Sequence, residues 1–399
     1  MPSFSRWLMP SFSRWLRSSN FNSQKRYHFS LRTRYSTMST IYALGSNGSS
    51  QLGIGHDEDV SVPQPVLFDG DYPEGVQQIR AGGNHTLLLS TTGKLYCSGD
   101  SSSGACGLTP DSHPAESEFR RVKLSDSSSV NDAPVVFCAA TWESSIIVQQ
   151  DEDGHATKMY CFGTGNQGEL GQGEFLFRSS KPQLIENFPP SGLEVVDLAT
   201  SLSHVVVVLS NGDVYGWGSG RKGQLGQPEG KVYSPRKIEG LELKAVRATC
   251  GREFTCILGE SSSGQYKILG SDKWNIRSSA PDKVSEWTDV GSTWGSILLL
   301  QKNKALMSWG RDDHGQLAPS KLPPVRQIAI GSEHGLALTI DGEVCAWGWG
   351  EHGNCGPKTK DGDVKGTWNV VAYSKYLPPG AKISYIGAGY ATSWICIGS

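Results

Sequence analysis

Short apolar runs separated by tight turns dominate the hydrophobic pattern of this chain. The clearest stretch runs from Val205–Val208 through the turn Asn211-Gly212 to Val214–Trp217, and Thr92-Gly93 and Asp341-Gly342 separate similar runs. Asn-Gly and Asp-Gly between β-type runs are strong hairpin signals, because Asn, Asp and Gly tolerate the positive φ that a type I′ turn needs. The pattern therefore predicts antiparallel hairpins of short strands and no helix of useful length.

A glycine motif repeats seven times along this pattern, at an average spacing of about 50 residues. In its clearest form an aromatic residue precedes the glycine and a Gln-Leu-Gly segment follows, as in Trp217-Gly218 and Gln224–Gly226. Related segments are Gln51–Gly53, Glu169–Gly171 and Gln316-Leu317. The seven copies centre on Gly45, Gly99, Gly163, Gly218, Gly270, Gly310 and Gly348. A repeat of this period indicates one supersecondary unit copied in series.

Four short strands in each of seven units predict an all-β fold, a seven-bladed β-propeller of four-stranded blades. The chain opens with one lone strand, Ile41–Leu44, and ends with two strands, Ile383–Ile386 and Trp394–Ile397, which lack a third. We therefore expect the N-terminal strand to pair with the C-terminal blade and to close the ring. Closure of this kind removes two exposed sheet edges.

The first 37 residues lie outside the repeats, so the predicted organisation is an extension over 1–37 and a propeller over 38–399. The extension holds seven Lys and Arg, nine Ser and no Asp or Glu, and Met1–Leu8 is repeated as Met9–Leu16. This composition resembles a mitochondrial transit peptide. The alternative is an upstream extension of the reading frame, with Met38 as the working start.

Composition and charge narrow the functional classes. Charged residues are 19% of the 399 residues and 48 residues are glycine, which suits a turn-rich all-β protein. Beyond the extension, 30 Lys and Arg face 39 Asp and Glu, and an acidic propeller is a poor candidate for binding nucleic acid through phosphate contacts. Because no apolar run approaches the ~18 residues of a transmembrane helix, none is expected.

The nine cysteines form no Cys-x-x-Cys pair. Five of them fall at strand positions where small apolar residues belong, namely Cys97, Cys161, Cys256, Cys345 and Cys396. We expect reduced core residues and a cytoplasmic and nuclear protein, or a mitochondrial one if the extension is a transit peptide. No phosphate loop, zincin motif or nucleophile elbow is present, and we expect no cofactor and no metal site. A non-enzymatic protein is implied by the family resemblance that follows.

The repeat unit resembles that of the regulator of chromosome condensation family, over residues 40–397. A closer resemblance is to the fungal alpha-tubulin suppressor, or killer-toxin-insensitivity, branch of that family. It rests on Met38–Asp59, on Gly331–Gly335 with Trp347–Pro357, and on Ala391–Ile395. The Gly-Glu-His-Gly-Asn-Cys-Gly run within the third of these segments departs from the general Gln-Leu-Gly pattern and is the most specific part.

The resemblance implies a binding protein that forms a heterodimer with a small CSL-type zinc-finger protein of diphthamide synthesis. The pair would support diphthamide formation on translation elongation factor 2 and, through Elongator, wobble-uridine modification of tRNA. In this branch the small partner carries a redox-active metal, which the propeller shields and regulates. These functions are implied by the resemblance and not by composition or spacing.

The loops between the first and second strands of the blades should lie on one face of the disc, because rotation about the ring axis relates the blades. Just before the recurring histidine position stand Asn84, Glu143, Ser203, Glu253, Trp294, Glu333 and Ala391. One residue earlier stand Gly83, Trp142, Leu202, Arg252, Thr293, Ser332 and Tyr390. The residue types that anchor protein interfaces are Trp142, Arg252, Trp294 and Tyr390. We expect these four to bind the partner, with the three glutamates setting polar register, unless the aromatics only cover the blade ends.

Two other segments are candidates for partner contacts. Glu351 and His352 lie in a Gly-rich loop near Cys355 and could contact the metal-bearing edge of the partner. The run His56–Asp59 could dock a basic patch. The alternative for both is an ordinary structural or solvated loop. His85, His204 and His334 occupy one repeat position, which favours a structural hydrogen bond to loop backbone over general-base or ligand roles.

Two other functions remain open. The first is guanine-nucleotide exchange on a small nuclear GTPase, for which the Ser-rich insertion Leu108–Pro134 could serve as a wedge. The second is that of the plant UV-B photoreceptor, which shares the repeat and uses a cluster of tryptophans on this face. Only Trp142 falls at the matching position of the repeat, with Trp294 one residue off, which argues against the photoreceptor.

Overall fold

A closed ring of antiparallel sheets forms the protein. The computed structural model describes residues 40–107, 116–124 and 133–398, so the extension over 1–37 lies outside the described residues. Within this part, 26 strands form seven sheets. The innermost strand of each sheet contacts the innermost strand of the next, and the last of these contacts the first. The predicted seven-bladed all-β propeller is therefore confirmed.

Each blade is numbered here in chain order and its strands are given from the inside outward. Blade 1 consists of β3 (Val76–Ala81), β4 (His85–Ser90), β5 (Leu95–Gly99) and β6 (Glu116–Arg121). Blade 2 consists of β7 (Val135–Ala140), β8 (Ser144–Gln150), β9 (Ala156–Thr164) and β10 (Arg178–Leu184). Blade 3 consists of β11 (Val195–Thr200), β12 (His204–Leu209), β13 (Val214–Ser219) and β14 (Lys231–Lys237).

The remaining blades continue the same order. Blade 4 consists of β15 (Arg247–Cys250), β16 (Phe254–Leu258) and β17 (Tyr266–Gly270), and a 3₁₀ turn at Lys273–Asn275 follows it. Blade 5 consists of β18 (Trp287–Ser292), β19 (Ser296–Gln301) and β20 (Leu306–Gly310). Blade 6 consists of β21 (Val325–Ile330), β22 (His334–Thr339), β23 (Glu343–Trp349) and β24 (Asp363–Tyr373), with a 3₁₀ turn at Ser374–Tyr376. Blade 7 consists of β25 (Lys382–Ala388), β26 (Thr392–Gly398), β1 (Thr40–Gly45) and β2 (Val60–Pro65).

Blades 4 and 5 have three strands, whereas the other five have four. After β20 the chain runs through Pro319, Pro323 and Pro324, and proline has no N–H to donate to a sheet ladder. After β17 the outer position is covered by an irregular segment that buries Ile276, whose carbonyl accepts a hydrogen bond from Trp309 Nε1 at 2.9 Å. The degenerate repeat around Gly270 thus corresponds to a blade without its outer strand.

The two chain ends close the ring together in blade 7. β1 pairs with β26 in continuous register from Thr40↔Ile397 to Gly45↔Thr392, and β2 pairs with β1. The predicted pairing of the N-terminal strand with the C-terminal blade is confirmed. The N-terminal part supplies two strands, the third and the fourth, rather than one.

The hydrophobic core lies between neighbouring blades. β4, β12 and β22, which are second strands, are buried at every position. Tryptophans of third strands add hydrogen bonds between blades, because Trp217 Nε1 donates to the Glu169 carbonyl at 2.8 Å and Trp347 Nε1 to the Gln316 carbonyl at 3.2 Å. The aromatic residue and the Gln-Leu-Gly segment therefore occur together because they meet across a blade junction. Among the described residues, no helix has the length and apolar character needed to cross a membrane.

The insertion Leu108–Pro134 is partly described. Its central portion forms β6, the outer strand of blade 1, so this part belongs to the blade and does not project from it. Residues 108–115 and 125–132, on which the wedge hypothesis also falls, lie outside the described residues.

Candidate partner-binding face

Two sets of loops share one face of the disc, which we call the upper face. The inner loops connect first and second strands and consist of residues 82–84, 141–143, 201–203, 251–253, 293–295, 331–333 and 389–391. The outer loops follow the third strands. Because the strands are antiparallel, the chain is on the same side of the disc after the first strand and after the third. The turns after the second strands lie on the opposite face.

The glycine of the repeat ties each inner loop to the end of the third strand. All seven glycines have φ between +98° and +121°. A Cβ at Gly218 would lie 2.4 Å from the carbonyl oxygen of Ser203, and the other six meet the equivalent carbonyl in the same way. The amide of the residue after the glycine donates to the same carbonyl. The Ser219 amide donates to the Ser203 carbonyl at 2.7 Å, and the Thr164 amide donates to the Glu143 carbonyl at 2.8 Å. The inner loops are thus held in one conformation around the ring.

The inner loops also bind one another and define the register of the ring. At several junctions the amide of the middle residue of one loop donates to the carbonyl of the middle residue of the next loop. The Gly83 amide donates to the Trp142 carbonyl at 2.9 Å and the Arg252 amide to the Trp294 carbonyl at 3.0 Å. The Trp294 amide donates to the Ser332 carbonyl at 2.7 Å. Trp294 is therefore a middle residue like Trp142, Arg252 and Tyr390, and its sequence-based placement one position later is wrong. Because Trp142 and Trp294 hold equivalent positions, the one-residue offset between them no longer argues against a tryptophan cluster of the UV-B photoreceptor kind.

Four middle residues meet across the central channel. The rings of Trp142 and Tyr390 are stacked with centroids 5.4 Å apart, and the rings of Trp294 and Tyr390 meet edge to face at 5.7 Å. The guanidinium of Arg252 lies 5.3 Å from the centre of the Trp294 ring. Blades 2, 5 and 7, which carry the three rings, are not neighbours, so these contacts bridge the channel mouth. The predicted anchors Trp142, Arg252, Trp294 and Tyr390 form one cluster, which we call the aromatic plug.

The aromatic plug is packed against backbone on one side and open on the other. A Cβ at Gly83 would lie 2.6 Å from the Trp142 ring, so this glycine lets the indole lie flat across its loop. Burial raises the pKa of Tyr390, and its hydroxyl and the indole N–H of Trp294 have no hydrogen-bond partner among the described residues. Trp142 keeps 39% of its surface exposed. The plug therefore offers an aromatic surface on its open side, while the Trp294 indole N–H is buried inside it.

Below the plug, the central channel has a volume of about 360 Å³ and is lined by the innermost strands. Its charged groups largely face each other. Arg247 lies 2.9 Å from Asp289 and 3.7 Å from Asp197, and Asp197 accepts the Ala248 amide at 2.7 Å. These pairs link blades 3, 4 and 5, so we interpret the channel charges as structural.

The three predicted glutamates are not equivalent. Glu143 and Glu253 are half-buried on the upper face. Glu333 is buried, and it accepts hydrogen bonds from Arg311 and, at 2.8 Å, from Gln316 Nε2. Burial raises the pKa of Glu333 in spite of these two partners. The structure thus places Glu333 inside the junction of blades 5 and 6, where it is engaged by the protein itself.

Glu351 and His352 lie on the upper face but away from the plug, in the outer loop of blade 6. Glu351 is exposed, whereas His352 Nδ1 lies 2.6 Å from Asp59 Oδ2 in the outer loop of blade 7. Cys355 is buried, and its thiol donates to the carbonyl of Trp347 at 3.4 Å. The distinctive sequence of this loop therefore seals the blade 6–blade 7 junction and leaves Glu351 as its exposed member.

Three exposed aromatics on the same face were missed by sequence reasoning. Phe175 is 93% exposed and Phe177 is 59% exposed, both in the outer loop of blade 2. Trp274, after the third strand of blade 4, has φ +66°, which is rare for a bulky residue, and its ring lies 4.7 Å from the Arg311 guanidinium. A usable signal was the pair of phenylalanines, Phe175 and Phe177, at the end of a loop that consists mostly of glycine and polar residues.

The recurring histidines are structural, as expected, but they bind the next blade rather than loop backbone. His85, His204 and His334 contact the hydroxyls of Ser145, Thr255 and Ser393 at 3.0, 3.1 and 2.9 Å. Ser145 donates its own proton to the Ala105 carbonyl at 2.6 Å, so it accepts from the Nε2–H of His85. Burial lowers the pKa of each of these histidines to about 4.

All nine cysteines are free and buried, in agreement with the predicted core positions. Within residues 40–107, 116–124 and 133–398, no group of three or more His, Cys, Asp or Glu side chains is placed to hold a metal ion.

The fold and this face define a closed seven-bladed propeller with an elaborated loop surface. Residues 40–395 match the RCC1-like domain family, and the chain belongs to that family. It is 34% identical to an RCC1 repeat-containing protein of Schizosaccharomyces pombe, over 90% of this chain and 98% of that protein. It is 27% identical to the mouse secretion-regulating guanine nucleotide exchange factor, over 89% of this chain and 82% of that protein.

A solved structure agrees with the fold. Prp20p of Saccharomyces cerevisiae, described with its binding to Gsp1p and histones, superimposes with a TM-score of 0.74 at 20% identity, covering 90% of this chain and 92% of that one. At this level of identity the likeness supports the architecture and not a shared function.

Proposed function

We propose that this protein is a non-enzymatic regulatory propeller that binds a protein partner through its upper face. The observation that carries the proposal is the group of exposed aromatic side chains on that face, where Phe175, Phe177 and the plug residue Trp142 are 93%, 59% and 39% exposed. Contiguous exposed apolar surface marks interaction sites, and aromatic and arginine side chains contribute most to binding energy at protein interfaces.

The partner favoured by the sequence is the small CSL-type zinc-finger protein of diphthamide synthesis. The heterodimer would support diphthamide formation on elongation factor 2 and Elongator-dependent wobble-uridine modification of tRNA. This part rests on the resemblance of Met38–Asp59, Trp347–Pro357 and Ala391–Ile395 to the alpha-tubulin suppressor (killer-toxin-insensitivity) protein of budding yeast. Exposed Glu351 belongs to the second of these segments and would extend the interface to the rim of blade 6.

The test is calorimetric titration of the propeller with the purified zinc-finger protein, for wild type and for the double variant Phe175→Ala, Phe177→Ala. We expect the variant to weaken binding at least ten-fold, because truncating an interface anchor costs about 2 kcal/mol or more. The matched control is Ile340→Ala. Ile340 is 57% exposed, close to the 59% of Phe177, but lies in a turn on the opposite face.

The outcomes separate the two parts of the proposal. If wild type forms no complex with the zinc-finger protein, the partner is wrong. If wild type binds and the phenylalanine variant binds equally well, the upper face around blade 2 is not the interface.

Guanine-nucleotide exchange on a small GTPase is the second candidate. The observation in its favour is that relatives with 27% and 26% identity are named as a secretion-regulating exchange factor of mouse and as the human regulator of chromosome condensation. Release of a fluorescent GDP from a small nuclear GTPase, measured with and without this protein, tests it. An acceleration of release that the phenylalanine variant abolishes would favour exchange over the heterodimer.

A further inference from the structure

A pocket of about 390 Å³ lies on the upper face beside the aromatic plug. Two inner-loop tryptophans and the outer loop of blade 2 form its walls. The residues that decide its chemistry are Trp142, Glu143, Glu169, Arg252 and Trp294. It therefore combines aromatic surface with carboxylates.

Glu169 departs from the rule of its own repeat. The equivalent residues Gln51, Gln224 and Gln316 each accept the amide two residues earlier through Oε1, at 2.9 Å. Glu169 makes the same contact through Oε2, with the amide of Gln167 at 2.7 Å. The loop geometry is preserved, so the glutamate is not needed for folding of the loop, and what it adds is a negative charge.

The charge that Glu169 adds is poorly solvated. Its side chain belongs to a residue that is only 6% exposed. Burial raises its pKa, the neighbouring carboxylate of Glu143 raises it further, and the Gln167 hydrogen bond and Lys231 act in the opposite direction. A buried carboxylate beside a second one gains from an added cation.

The other walls suit the same ligand. Tryptophan faces attract cations by their negative π surface. Arg252, the one cation among the described pocket-lining residues, already stacks on Trp294. Lys231, which is not a lining residue, donates to the Asn166 carbonyl at 2.9 Å. Both cations therefore have other partners, while the two carboxylates line the pocket. An anionic ligand would be repelled by the carboxylates of Glu143 and Glu169. A neutral apolar ligand would leave both carboxylates without a partner charge.

We propose that this pocket binds a lysine or arginine side chain of the protein partner, held between the carboxylates of Glu143 and Glu169 and the indole of Trp142. The inference rests on the proposed partner-binding role of the upper face and specifies its chemistry. The partner segment would place the cation in the pocket and apolar side chains on Phe175 and Phe177.

The experiment uses the full chain labelled with 5-fluorotryptophan and observed by fluorine NMR, with the Trp142 and Trp294 signals assigned from Trp→Phe variants. The probes are the capped tripeptides acetyl-Gly-Arg-Gly-amide and acetyl-Gly-Lys-Gly-amide, and acetyl-Gly-citrulline-Gly-amide is the neutral isostere. We expect saturable shifts of the Trp142 signal with a cationic peptide. The citrulline peptide should bind at least about ten-fold more weakly, because charge-assisted hydrogen bonds are roughly twice as strong as neutral ones.

The decisive variant is Glu169→Gln, which installs the residue that the other copies use and should therefore fold normally. It should lose the arginine shift while the melting temperature stays unchanged. Equal shifts with citrulline, no shift with either cationic peptide, or an undiminished shift in Glu169→Gln would overturn the pocket assignment.

These readouts do not depend on the identity of the partner. If arginine binds the pocket but the zinc-finger protein forms no complex, the site stands and the proposed partner fails. If the zinc-finger protein binds wild type and Glu169→Gln equally well, and the peptides do not bind, the partner stands and the pocket assignment fails.

Discussion

Each third strand carries a glycine at its last or next-to-last residue, because the chain must turn there toward a carbonyl of its own blade. At Gly218 the φ of +98° brings the next amide to the Ser203 carbonyl, and any Cβ would lie 2.4 Å from that oxygen. Two penalties therefore apply to a larger residue, an unfavourable φ and a steric clash with backbone. Since the same carbonyl belongs to the inner loop, this glycine also positions the upper face.

Gly218→Ala should therefore destabilise the protein by about 3 kcal/mol or more, because an L-residue at strained φ alone costs about 1–3 kcal/mol. Urea unfolding followed by tryptophan fluorescence measures the change. The inner loop of blade 3 should shift with it, so exchange of the Ser219 amide with solvent should become faster.

Two control glycines separate these effects. Gly240 has φ +73° and no atom within 4 Å of the position that a Cβ would take, so Gly240→Ala reports the backbone strain alone. Gly48 has neither a positive φ nor a neighbour, so Gly48→Ala should be nearly neutral. A cost for Gly218→Ala no larger than that for Gly240→Ala would contradict the carbonyl contact as the cause.

At the scale of strands and loops, the sequence predicts what is periodic. Alternating apolar runs and Asn-Gly turns identify the hairpins, and the repeat identifies the blades. The inner loop of blade 5 was misplaced by one residue, since β19 begins at Ser296, where blades 1, 3 and 6 have histidine. The contacts of Glu333 with Arg311 and Gln316 depend on how the loops of neighbouring blades pack, which no local pattern encodes.

The histidines that link neighbouring blades predict a pH dependence. Burial lowers the pKa of His204 from 6.5 to about 4 in the folded protein. Between these values the unfolded chain binds more protons, so stability falls as the pH drops from about 6.5 toward 4. His204→Gln should reduce the slope of unfolding free energy against pH by up to about 1.4 kcal/mol per pH unit, measured by urea unfolding at pH 5 and 6.

His155→Gln is the control for this experiment. Its hydrogen bond to Glu194 raises the pKa of His155, so its contribution is present below pH 6.5 and is lost as the pH rises through the raised value. That sign is opposite to the sign for His204, and the variant should not flatten the acid slope. Equal slopes for wild type and His204→Gln would show that this histidine is protonated in the folded state.

For the whole molecule, closure depends on both chain ends sharing one sheet. Thr40 pairs with Ile397 and Gly45 with Thr392, so the ring is closed by the hydrogen bonds of a strand ladder and not only by packing between blades. We call the construction of one blade from strands of both chain ends strand exchange. A propeller without strand exchange would close only through side-chain packing between its first and last blades.

Two circular permutants test this closure with the same set of strands. Both join residue 398 to residue 40 through an Asn-Gly turn, since Thr40 and Ile397 are paired neighbours. The first opens the chain after Gly240, between blades 3 and 4, and so abolishes strand exchange. The second opens it between Asn211 and Gly212, between the second and third strands of blade 3, and so moves the exchange into that blade.

We expect the first permutant to unfold markedly faster than wild type, because blades 3 and 4 can separate without breaking a sheet. The second should unfold at close to the rate of wild type, because its closing blade is again built from both ends. Stopped-flow unfolding in urea measures both rates. If the two permutants unfold equally fast, packing between blades, rather than the shared sheet, limits the opening of the ring.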